Sequence, residues 1–452
     1  MLALNQILAI VIFAIMLAVI ISDRYPRYIP ALIGAFLMIS VVFLGVMKSP
    51  EAMWHVLNLE QLGQWSFWVP GEEHVESYGV NWQTIIFIGG MMVMVAGMER
   101  VGFFRWICLF AARLVGCRVI PILLAFMLIS GFLSMFIDSI TVLLFLSMVT
   151  IELARLLKFD PVPVIVAEIF AANTGGSATM SGDPPNIIIG TALGYNFFDF
   201  ALNTGLIAWT GMIFTLAYFY FIFRRSLKQG TEPADMMKVC PLPSAAITDR
   251  RLFRIDTSIF IIVVILIVTH AETGLSMAII GVIAAILTLL TDIKDVKEVF
   301  AGVNWQVLLF FLGLFISVGG LEETGVLHMI ARYIGDASGG ETSVAIAFIL
   351  WISAFASAVV DNIPFAATMV PIIKELSVVG AMSLPTLAWT LALGTDLGGN
   401  ATPIGASANV VGVSVSEREG YPISWGRFLK YALFPMLIVV GISHLMLLWR
   451  YA

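Results

Sequence analysis

The strongest constraint on the fold is an internal repeat with a fixed spacing of 223 residues. Internal repeats of this kind are typical of secondary transporters. Three motifs at one spacing, without a gap over more than 100 residues, exclude a chance match. The motifs are Asn81-Trp82-Gln83 with Asn304-Trp305-Gln306, Asp138 with Asp361, and Gly175-Gly176-x-Ala178-Thr179 plus Asn186 with Gly398-Gly399-x-Ala401-Thr402 plus Asn409.

The apolar runs predict a multi-pass integral membrane protein surrounded by lipid. Hydrophobic residues make up 60% of the chain and charged residues 12%, whereas soluble domains carry about a quarter charged residues. The first run lacks a basic segment and an A-x-A site, so we expect a retained helix rather than a cleaved signal. Runs long enough to span occur at 4–22, 28–47, 82–98, 205–223, 256–271, 275–291, 304–321 and 427–449.

Four further apolar segments are irregular and occupy corresponding positions in the two repeats. Segments 119–157 and 342–378 are too long for one span and carry an Asp in the middle, which indicates re-entrant hairpins. Segments 161–203 and 384–416 are interrupted by Gly-rich polar residues, which indicates broken transmembrane helices. The predicted fold is therefore an all-α polytopic membrane protein with two re-entrant hairpins and two broken helices.

The number of crossings between the two repeats is odd, so the second repeat starts on the opposite side and the repeats are inverted. Ten crossings in total are expected. The predicted divisions are N-terminal transmembrane helices with an external interfacial segment (1–80), the first inverted repeat (81–224), a cytoplasmic loop (225–254), connecting transmembrane helices (255–303) and the second inverted repeat (304–452).

The basic residues predict the orientation of the chain. An external N-terminus places every Lys and Arg on the cytoplasmic side except Lys48, Arg332, Lys374 and Arg450. The positive-inside rule favours this arrangement. Segment 103–116 has helical apolar spacing with Arg105 and Arg113, which is typical of an amphipathic helix in the membrane plane.

Enzyme and nucleic-acid functions find no support in the sequence. There is no basic tract for nucleic acid, and a membrane-embedded hydrolase would need a nucleophile–base pair or a metal cluster, neither of which is found. Cys108, Cys117 and Cys240 show neither metal-ligand spacing nor a paired framework, so we expect them to be unpaired apolar or interfacial residues.

The chemistry is expected at the hairpin tips and the helix breaks. Asp138 and Asp361 lie in the middle of apolar segments, where a carboxylate normally faces a bundle interior or an aqueous cavity. The alternative is that each Asp only caps the returning helix. The Gly- and Pro-rich breaks leave backbone carbonyls free to coordinate a cation, unless they are surface loops. Asp183 and Asp396 bring the number of carboxylates to four, and no Lys or Arg lies close to any of the four in sequence. A site without a basic partner is therefore expected, which suits Na⁺, H⁺ or a neutral solute, whereas an anion would need a co-bound cation or another positive group.

The strings GGSATMSGDPPN (175–186) and GGNATPIGASAN (398–409), each following a re-entrant Asp, resemble the ion transporter superfamily. Its ArsB/NhaD permease branch includes P-protein-like and citrate-transporter-like members. The resemblance covers roughly residues 81–449. It implies a homodimer with a fixed scaffold and a moving transport domain.

Carried onto this chain, the resemblance implies an ion- and substrate-binding site with no cofactor other than Na⁺ or H⁺. Possible Na⁺ ligands are Asp138, Asn173, Asp361 and Asp396. The full set is Asp138, Ser139, Thr141, Asn173, Thr174, Gly175, Thr179, Asp183, Asn186, Asp361, Asn362, Asp396, Gly398, Asn400, Thr402 and Asn409.

We therefore expect a secondary active ion transporter of the inner or plasma membrane, similar to a sodium–proton antiporter or a small inorganic ion permease. One alternative is arsenite or antimonite efflux. Another is a cation-coupled citrate or dicarboxylate transporter, although divalent anion–sodium symporters carry Ser-Asn-Thr where this chain has Asp138-Ser139-Ile140 and Asp361-Asn362-Ile363. A gated channel is the third.

Overall fold

The chain folds into helices joined by short connections, and no strand occurs in the described residues. The computed structural model describes residues 2–22, 24–69, 79–225, 227, 237–291, 295–338, 341–380 and 382–452. Before the first repeat lie α1 (Leu4–Ile21), α2 (Tyr28–Val46) and α3 (Pro50–Leu57). The first repeat holds α4 (Trp82–Arg100), α5 (Phe103–Leu114), α6 (Val119–Leu133), α7 (Ser139–Leu157), α8 (Val162–Gly176), α9 (Pro184–Leu193) and α10 (Phe197–Phe223).

The longer helices of the described residues between the repeats are α11 (Arg250–Val268), α12 (Met277–Thr291) and α13 (Val296–Gly302). The second repeat holds α14 (Trp305–Glu323), α15 (Val326–Ser338), α16 (Thr342–Val360), α17 (Asn362–Val379), α18 (Leu384–Gly399), α19 (Ser407–Arg418) and α20 (Trp425–Tyr451). Helices α14 to α19 each begin within one residue of the position 223 after the start of α4 to α9. The predicted repeat is therefore a structural repeat.

Both predicted re-entrant hairpins are present. In the first, α6 ends at Leu133 and α7 begins at Ser139. In the second, Asp361 alone separates α16 from α17 and adopts a left-handed φ of 84°. Each Asp also caps the returning helix, because its side chain accepts a hydrogen bond from a free N–H of the first turn.

Both predicted broken helices are present as well. The first consists of α8 and α9 with an interruption at 177–183, and the second of α18 and α19 with an interruption at 400–406. The predicted end of the first broken segment at residue 203 is wrong. Residues Phe197–Gly205 belong to the next helix, α10, whose start contains a π-helical stretch at Ala201–Gly205.

Eight helices of the described residues are long and apolar enough to cross a membrane: α1, α2, α4, α7, α10, α14, α16 and α20. Of these, α7 and α16 are hairpin arms. The remaining six, together with α11, α12 and the two broken helices, correspond to the ten predicted crossings.

Small residues let the helices outside the hairpins approach closely. A Cβ added at Gly90 of α4 would lie 2.0 Å from the carbonyl oxygen of Gly281 in α12. A Cβ at Gly313 of α14 would lie 2.5 Å from the Ala31 carbonyl carbon in α2. Backbones can pack this closely only where side chains are absent, a common feature of helix contacts in membranes.

The expectation of unpaired cysteines is wrong for two of the three. Cys117 and Cys240 form a disulfide across 123 residues of sequence, while Cys108 is free and buried. The bond ties the loop that follows α5 to the segment between the repeats. Because the pairing depends on tertiary contact, spacing in the sequence could not predict it.

The described loops allow the predicted orientation to be tested. In a background without native cysteines, Ser244→Cys should react with a membrane-impermeant thiol reagent only from the cytoplasm. Glu60→Cys should react only from outside, because an odd number of crossings separates the two positions. Both side chains are exposed, so access to the reagent is not limited by burial. Labelling of both positions from the same side would contradict the inverted arrangement.

Candidate functional site

The hairpins are fastened to the broken helices by one hydrogen bond that occurs in both repeats. The Thr179 hydroxyl in the first break donates to the carbonyl oxygen of Met135 at the first hairpin tip. The Thr402 hydroxyl donates in the same way to Ala358 of the second hairpin. The positions differ by 223 residues in both donor and acceptor, so each repeat builds its tip and its break as one unit.

The helix breaks are closed by two equivalent asparagines. Asn186 Nδ2 donates to the carbonyl oxygens of Gly176 at 3.1 Å and Thr179 at 3.0 Å. Asn409 Nδ2 donates to Gly399 at 2.7 Å and Thr402 at 2.8 Å. These carbonyls have lost the partners that a continuous helix would supply, and an unpaired buried carbonyl is costly. The two amides therefore stabilise the interruptions.

Glycine permits the close contact between each hairpin and its broken helix. A Cβ added at Gly175 would lie 2.1 Å from the carbonyl oxygen of Gly131. At Gly398 the added atom would lie 2.2 Å from the Cα of Ala354. Both obstacles are backbone atoms, which cannot move aside as a flexible side chain can. Gly175 and Gly398 were predicted to line the binding site, and the structure gives both of them a steric role in packing.

The two breaks bring Asp183 and Asp396 together at the centre. Both side chains are buried, and their carboxyl groups interact directly. Ser139 Oγ donates to Asp183 Oδ1 at 2.5 Å, and Asn362 Nδ2 donates to Asp183 Oδ2 at 2.6 Å. Each hairpin therefore contributes one donor to the same carboxyl. Within the described residues, no Lys or Arg contacts either acid.

Asp396 has no side-chain N–H group to donate, whereas its equivalent in the first repeat, Asn173, has one. Position 396 corresponds to Asn173, whose Nδ2 donates to Asn409 Oδ1 at 2.8 Å. Asp396 lies against Asn186, the equivalent of Asn409. The Asn186 amide nitrogen already donates to two carbonyls of the break. The Asn186 oxygen and both Asp396 carboxyl oxygens are therefore left without a donor in the described residues, where the other repeat has a hydrogen bond.

The unsatisfied oxygens indicate what the centre can bind. Neither carboxyl oxygen of Asp396 has a hydrogen-bond donor in the described part of the chain, and neither has Asn173 Oδ1 or Asn186 Oδ1. Asn173 Nδ2 also donates to Asn400 Oδ1 at 3.0 Å. Buried acceptors without donors can be satisfied by a proton, a cation or an ordered water. The site can therefore hold H⁺ or a small monovalent cation.

Other predicted site residues have local roles in this conformation. Asp138 accepts hydrogen bonds from both the N–H and the hydroxyl of Thr141, at 3.0 and 2.7 Å. Thr174 donates to the Phe170 carbonyl one turn earlier at 2.7 Å. The structure therefore brings Ser139, Asn173, Asp183, Asn186, Asn362, Asp396, Asn400 and Asn409 to the centre, while Asp138, Thr141 and Thr174 bond within their own helices.

Asp361 has a basic partner that sequence analysis missed. Arg27, in the link between α1 and α2, forms an ion pair with the buried Asp361 carboxylate. Ser407 Oγ donates to the same carboxylate at 2.9 Å, and Arg27 donates to Ser407 at 2.8 Å. The expectation that these carboxylates have no basic partner is thus wrong for Asp361. The only available signal was a charged residue in a very short link between two apolar runs.

Glu168 is a second residue that sequence analysis missed. It lies in the middle of α8 and is completely buried. A glutamate within the apolar run VPVIVAEIFAA (162–172) was the available signal. No cluster of three metal-binding His, Cys, Asp or Glu side chains occurs in the described ranges.

Two cavities approach the centre from opposite sides. One, of about 230 Å³, is lined by Arg27, Asn304, Ser407 and Val411 on the side that the basic residues assign to the cytoplasm. The other, of about 70 Å³, is lined by Asn81, Ile188, Glu322 and Lys374 on the opposite side. Asn81 is the repeat equivalent of Asn304 and Ile188 of Val411, so the cavities are related by the inverted repeat.

Comparison with known families gives a match over most of the chain. The family model described as CitMHS, citrate transporter, matches residues 12–394. The chain is 30% identical to a 46 kDa membrane protein of Mycobacterium leprae and 31% identical to an uncharacterised transporter of Mycobacterium tuberculosis, over 99% of both chains in each case. The human P protein is 27% identical over 83% of this chain and 54% of its own length.

Two solved transporters share the fold at low sequence identity. The Alcanivorax borkumensis YdaH transporter superposes with a TM-score of 0.51 at 14% identity, over 87% of each chain. Neisseria gonorrhoeae MtrF gives 0.56 at 12% identity, over 90% of this chain and 84% of its own. The relatives and the fold together confirm the resemblance inferred from the two glycine-rich strings.

The glycine contacts predict a selective loss of stability. Gly398→Ala should lower the free energy of unfolding by about 1–3 kcal/mol, because the new methyl group overlaps backbone of α16. Thermal unfolding of the purified protein measures the change. Gly441→Ala in α20 is the matched control, since nothing lies within 4 Å of its added Cβ. Equal effects of both substitutions would contradict the packing described here.

Proposed function

Since the chain belongs to the CitMHS citrate transporter family, we propose that this membrane transporter is a secondary active one. It works by alternating access and couples a small solute to H⁺ or Na⁺. The coupling ion binds at the carboxyl pair of Asp183 and Asp396.

The contact between Asp396 and Asn186 carries the proposal. In the equivalent contact of the second break an amide donates to an oxygen, whereas here the Asn186 oxygen and both Asp396 oxygens have no donor in the described residues. A bound proton or a Na⁺ supplies the missing positive charge. A buried carboxylate without such a partner would pay a large desolvation cost. Binding and release of the cation therefore change the stability of the closed centre.

This dependence supports coupling between the cation and the conformation. A ligand shifts a conformational equilibrium only by its difference in affinity between the two states. Asp183 receives donors from both hairpin tips, Ser139 and Asn362, so it links the two tips to the bound cation. An empty pair leaves two adjacent charges that repel and favour an arrangement in which water reaches them.

The two cavities support access from alternate sides. They are equivalent under the repeat but unequal in volume, at about 230 and 70 Å³. An inverted repeat lets each half adopt the conformation of the other, which exchanges the larger and smaller cavities. The conformation described here is thus the one more open towards Arg27.

Asp396→Asn tests the coupling role. The new amide can donate to Asn186 as Asn173 donates to Asn409, so the variant should fold and gain about 1 kcal/mol of stability. Its solute flux in proteoliposomes should no longer respond to pH or Na⁺ gradients. The measurement is a panel of small solutes, including citrate, phosphate and arsenite, with each gradient imposed separately.

Asp336→Asn is the control for this experiment, since Asp336 is exposed on α15 and far from the breaks in sequence. It should retain the gradient dependence of the unmodified protein. Gradient-dependent flux through Asp396→Asn at the unmodified rate would overturn the proposed coupling site. Flux that never depends on either gradient, in any variant, would instead favour a channel.

A small organic anion is the second candidate for the transported solute. The larger cavity ends at Arg27, which supplies a positive charge beside the Ser407 hydroxyl. A carboxylate entering this cavity can replace Asp361 as the partner of Arg27. The family description names citrate, which supports a carboxylate here. Arsenite, the other alternative, finds no comparable contact in the described part of the site.

Arg27→Gln tests the anion candidate. The substitution removes the charge that would attract a carboxylate, so citrate uptake should fall by about tenfold or more. Arg27→Lys should restore part of the uptake because the positive charge returns without the planar guanidinium. The matched control is Arg24→Gln in the same link. Unchanged citrate uptake by Arg27→Gln would remove the support for an anion at this position.

A further inference from the structure

Glu168 lies away from the centre, on the cytoplasmic side of the first broken helix. It precedes Asn173 by five residues, which is about 7.5 Å along the axis of α8. Its side chain is 0% exposed. The Thr150 hydroxyl of α7 donates to one carboxyl oxygen, and the other oxygen has no donor in the described residues. The residue plays no part in the central hydrogen-bond network.

The second repeat shows that the fold does not need an acid here. The positions equivalent to Glu168, Thr150, Ser147 and Cys108 are occupied by buried apolar residues. An apolar group of similar shape can replace a buried polar one at little or no cost in stability. The polar set is therefore an addition to the first repeat rather than a requirement of packing. The four equivalents are Leu391, Ile373, Val370 and Ala331.

The surroundings of Glu168 provide acceptors and hydroxyls but no compensating charge. Cys108 of α5 is the one titratable group facing it in the described residues. Ser147, one turn from Thr150 on α7, is buried with a free hydroxyl. Helix α6 carries no charged residue. The charged residue of α10 is Asp199 in its first turn, which accepts a hydrogen bond from the Asn196 N–H at 2.8 Å, and Asp396 of α18 belongs to the centre.

The charged residues of the other neighbouring helices are committed elsewhere or lie at helix ends. Arg105 of α5 pairs with Glu152 of α7 at 2.6 Å, and Arg155 pairs with Glu419 at 2.7 Å. Arg427 of α20 pairs with Asp160. The last residues of α19, Glu417 and Arg418, are exposed. The half-buried Arg113 in the last turn of α5 donates to the Cys240 carbonyl oxygen at 2.9 Å. Lys430, His444 and Arg450 of α20 make no contact with Glu168.

A proton is the ligand that fits this position. A cation such as Na⁺ needs several oxygens around it, whereas the Thr150 hydroxyl is the one side-chain oxygen that contacts the Glu168 carboxyl in the described residues. The Ser130 hydroxyl is committed to the Glu168 backbone carbonyl at 2.8 Å. A proton needs a single carboxyl oxygen and can then be donated onward to a neighbouring hydroxyl. Buried acids inside membrane segments commonly form proton relays.

We propose that Glu168 is a second proton-binding site, which loads from the cytoplasmic side and serves the centre in the transport cycle. The carboxylate takes up H⁺ from water and becomes a carboxylic acid. It releases the same H⁺ to water when the helices around Glu168 and Thr150 open. No other atom is exchanged. This inference rests on the proposed cation coupling and adds a proton position that the second repeat lacks.

The experiment compares Glu168→Gln with Glu168→Leu, which reproduces the residue of the second repeat. Infrared spectroscopy of the purified protein should show protonated carboxyl C=O absorption whose intensity changes with pH. Measured in the Asp396→Asn background, which removes one acid of the central pair, the Glu168 component should be missing from both variants. Glu152→Gln, a partly exposed ion-paired glutamate on α7, is the matched control and should keep that component. Thermal unfolding should show that Glu168→Leu folds, because Leu391 packs at the equivalent position.

Transport gives the second readout. Proton movement with the solute identified by the panel, followed by an entrapped pH dye, should be lost in Glu168→Gln and retained in Glu152→Gln. A carboxyl band that stays constant at every pH would overturn the proposal, since Glu168 would then be a static hydrogen-bonded acid. Normal proton coupling in Glu168→Gln would also overturn it. If Asp396→Asn also keeps proton coupling, the proposed function itself is wrong. If only Glu168→Gln keeps it, the proposed function stands and the second proton site is wrong.

Discussion

Hydrogen bonding of interrupted backbone inside an apolar environment is the constraint on which the structure depends. A helix that stops within a membrane leaves carbonyls that neither water nor lipid can satisfy. Asn186 and Asn409 provide two donors each to these carbonyls, and Thr179 and Thr402 fasten the hairpins beside them. The breaks are thereby held in place without charged residues. The charges at the centre are then available for binding.

The two repeats differ at three buried acids on this shared frame. Asp183 corresponds to Ala406, Asp396 to Asn173, and Glu168 to Leu391. Each difference adds a carboxyl to one repeat while the backbone remains equivalent. The frame itself is satisfied by groups present in both repeats. Under the proposed function, the desolvation cost of these acids is offset by the proton or cation that they bind.

Much of the fold could be predicted because it follows from local pattern and spacing. The 223-residue repeat, the hairpins and the breaks are all visible in the order of apolar, glycine and acidic residues. Contacts between distant segments could not be predicted. Arg27 and Asp361 are 334 residues apart, and the Cys117–Cys240 disulfide spans 123. The orientation of Asp138 towards its own helix also depends on the geometry of the tip rather than on composition.

The Arg27–Asp361 ion pair distinguishes the two conformations that inverted symmetry would otherwise make equal. Asp138, the equivalent of Asp361, bonds to Thr141 of its own helix and has no basic partner in the described residues. Inversion alone would give two conformations of equal energy, one open to each side. An ion pair on one side only removes that equality. The conformation with the larger cavity next to Arg27 is stabilised, and any anion that competes with Asp361 for Arg27 weakens the preference. Under the proposed function, solute binding and cavity exchange are thus linked through Arg27, which lies outside both repeats.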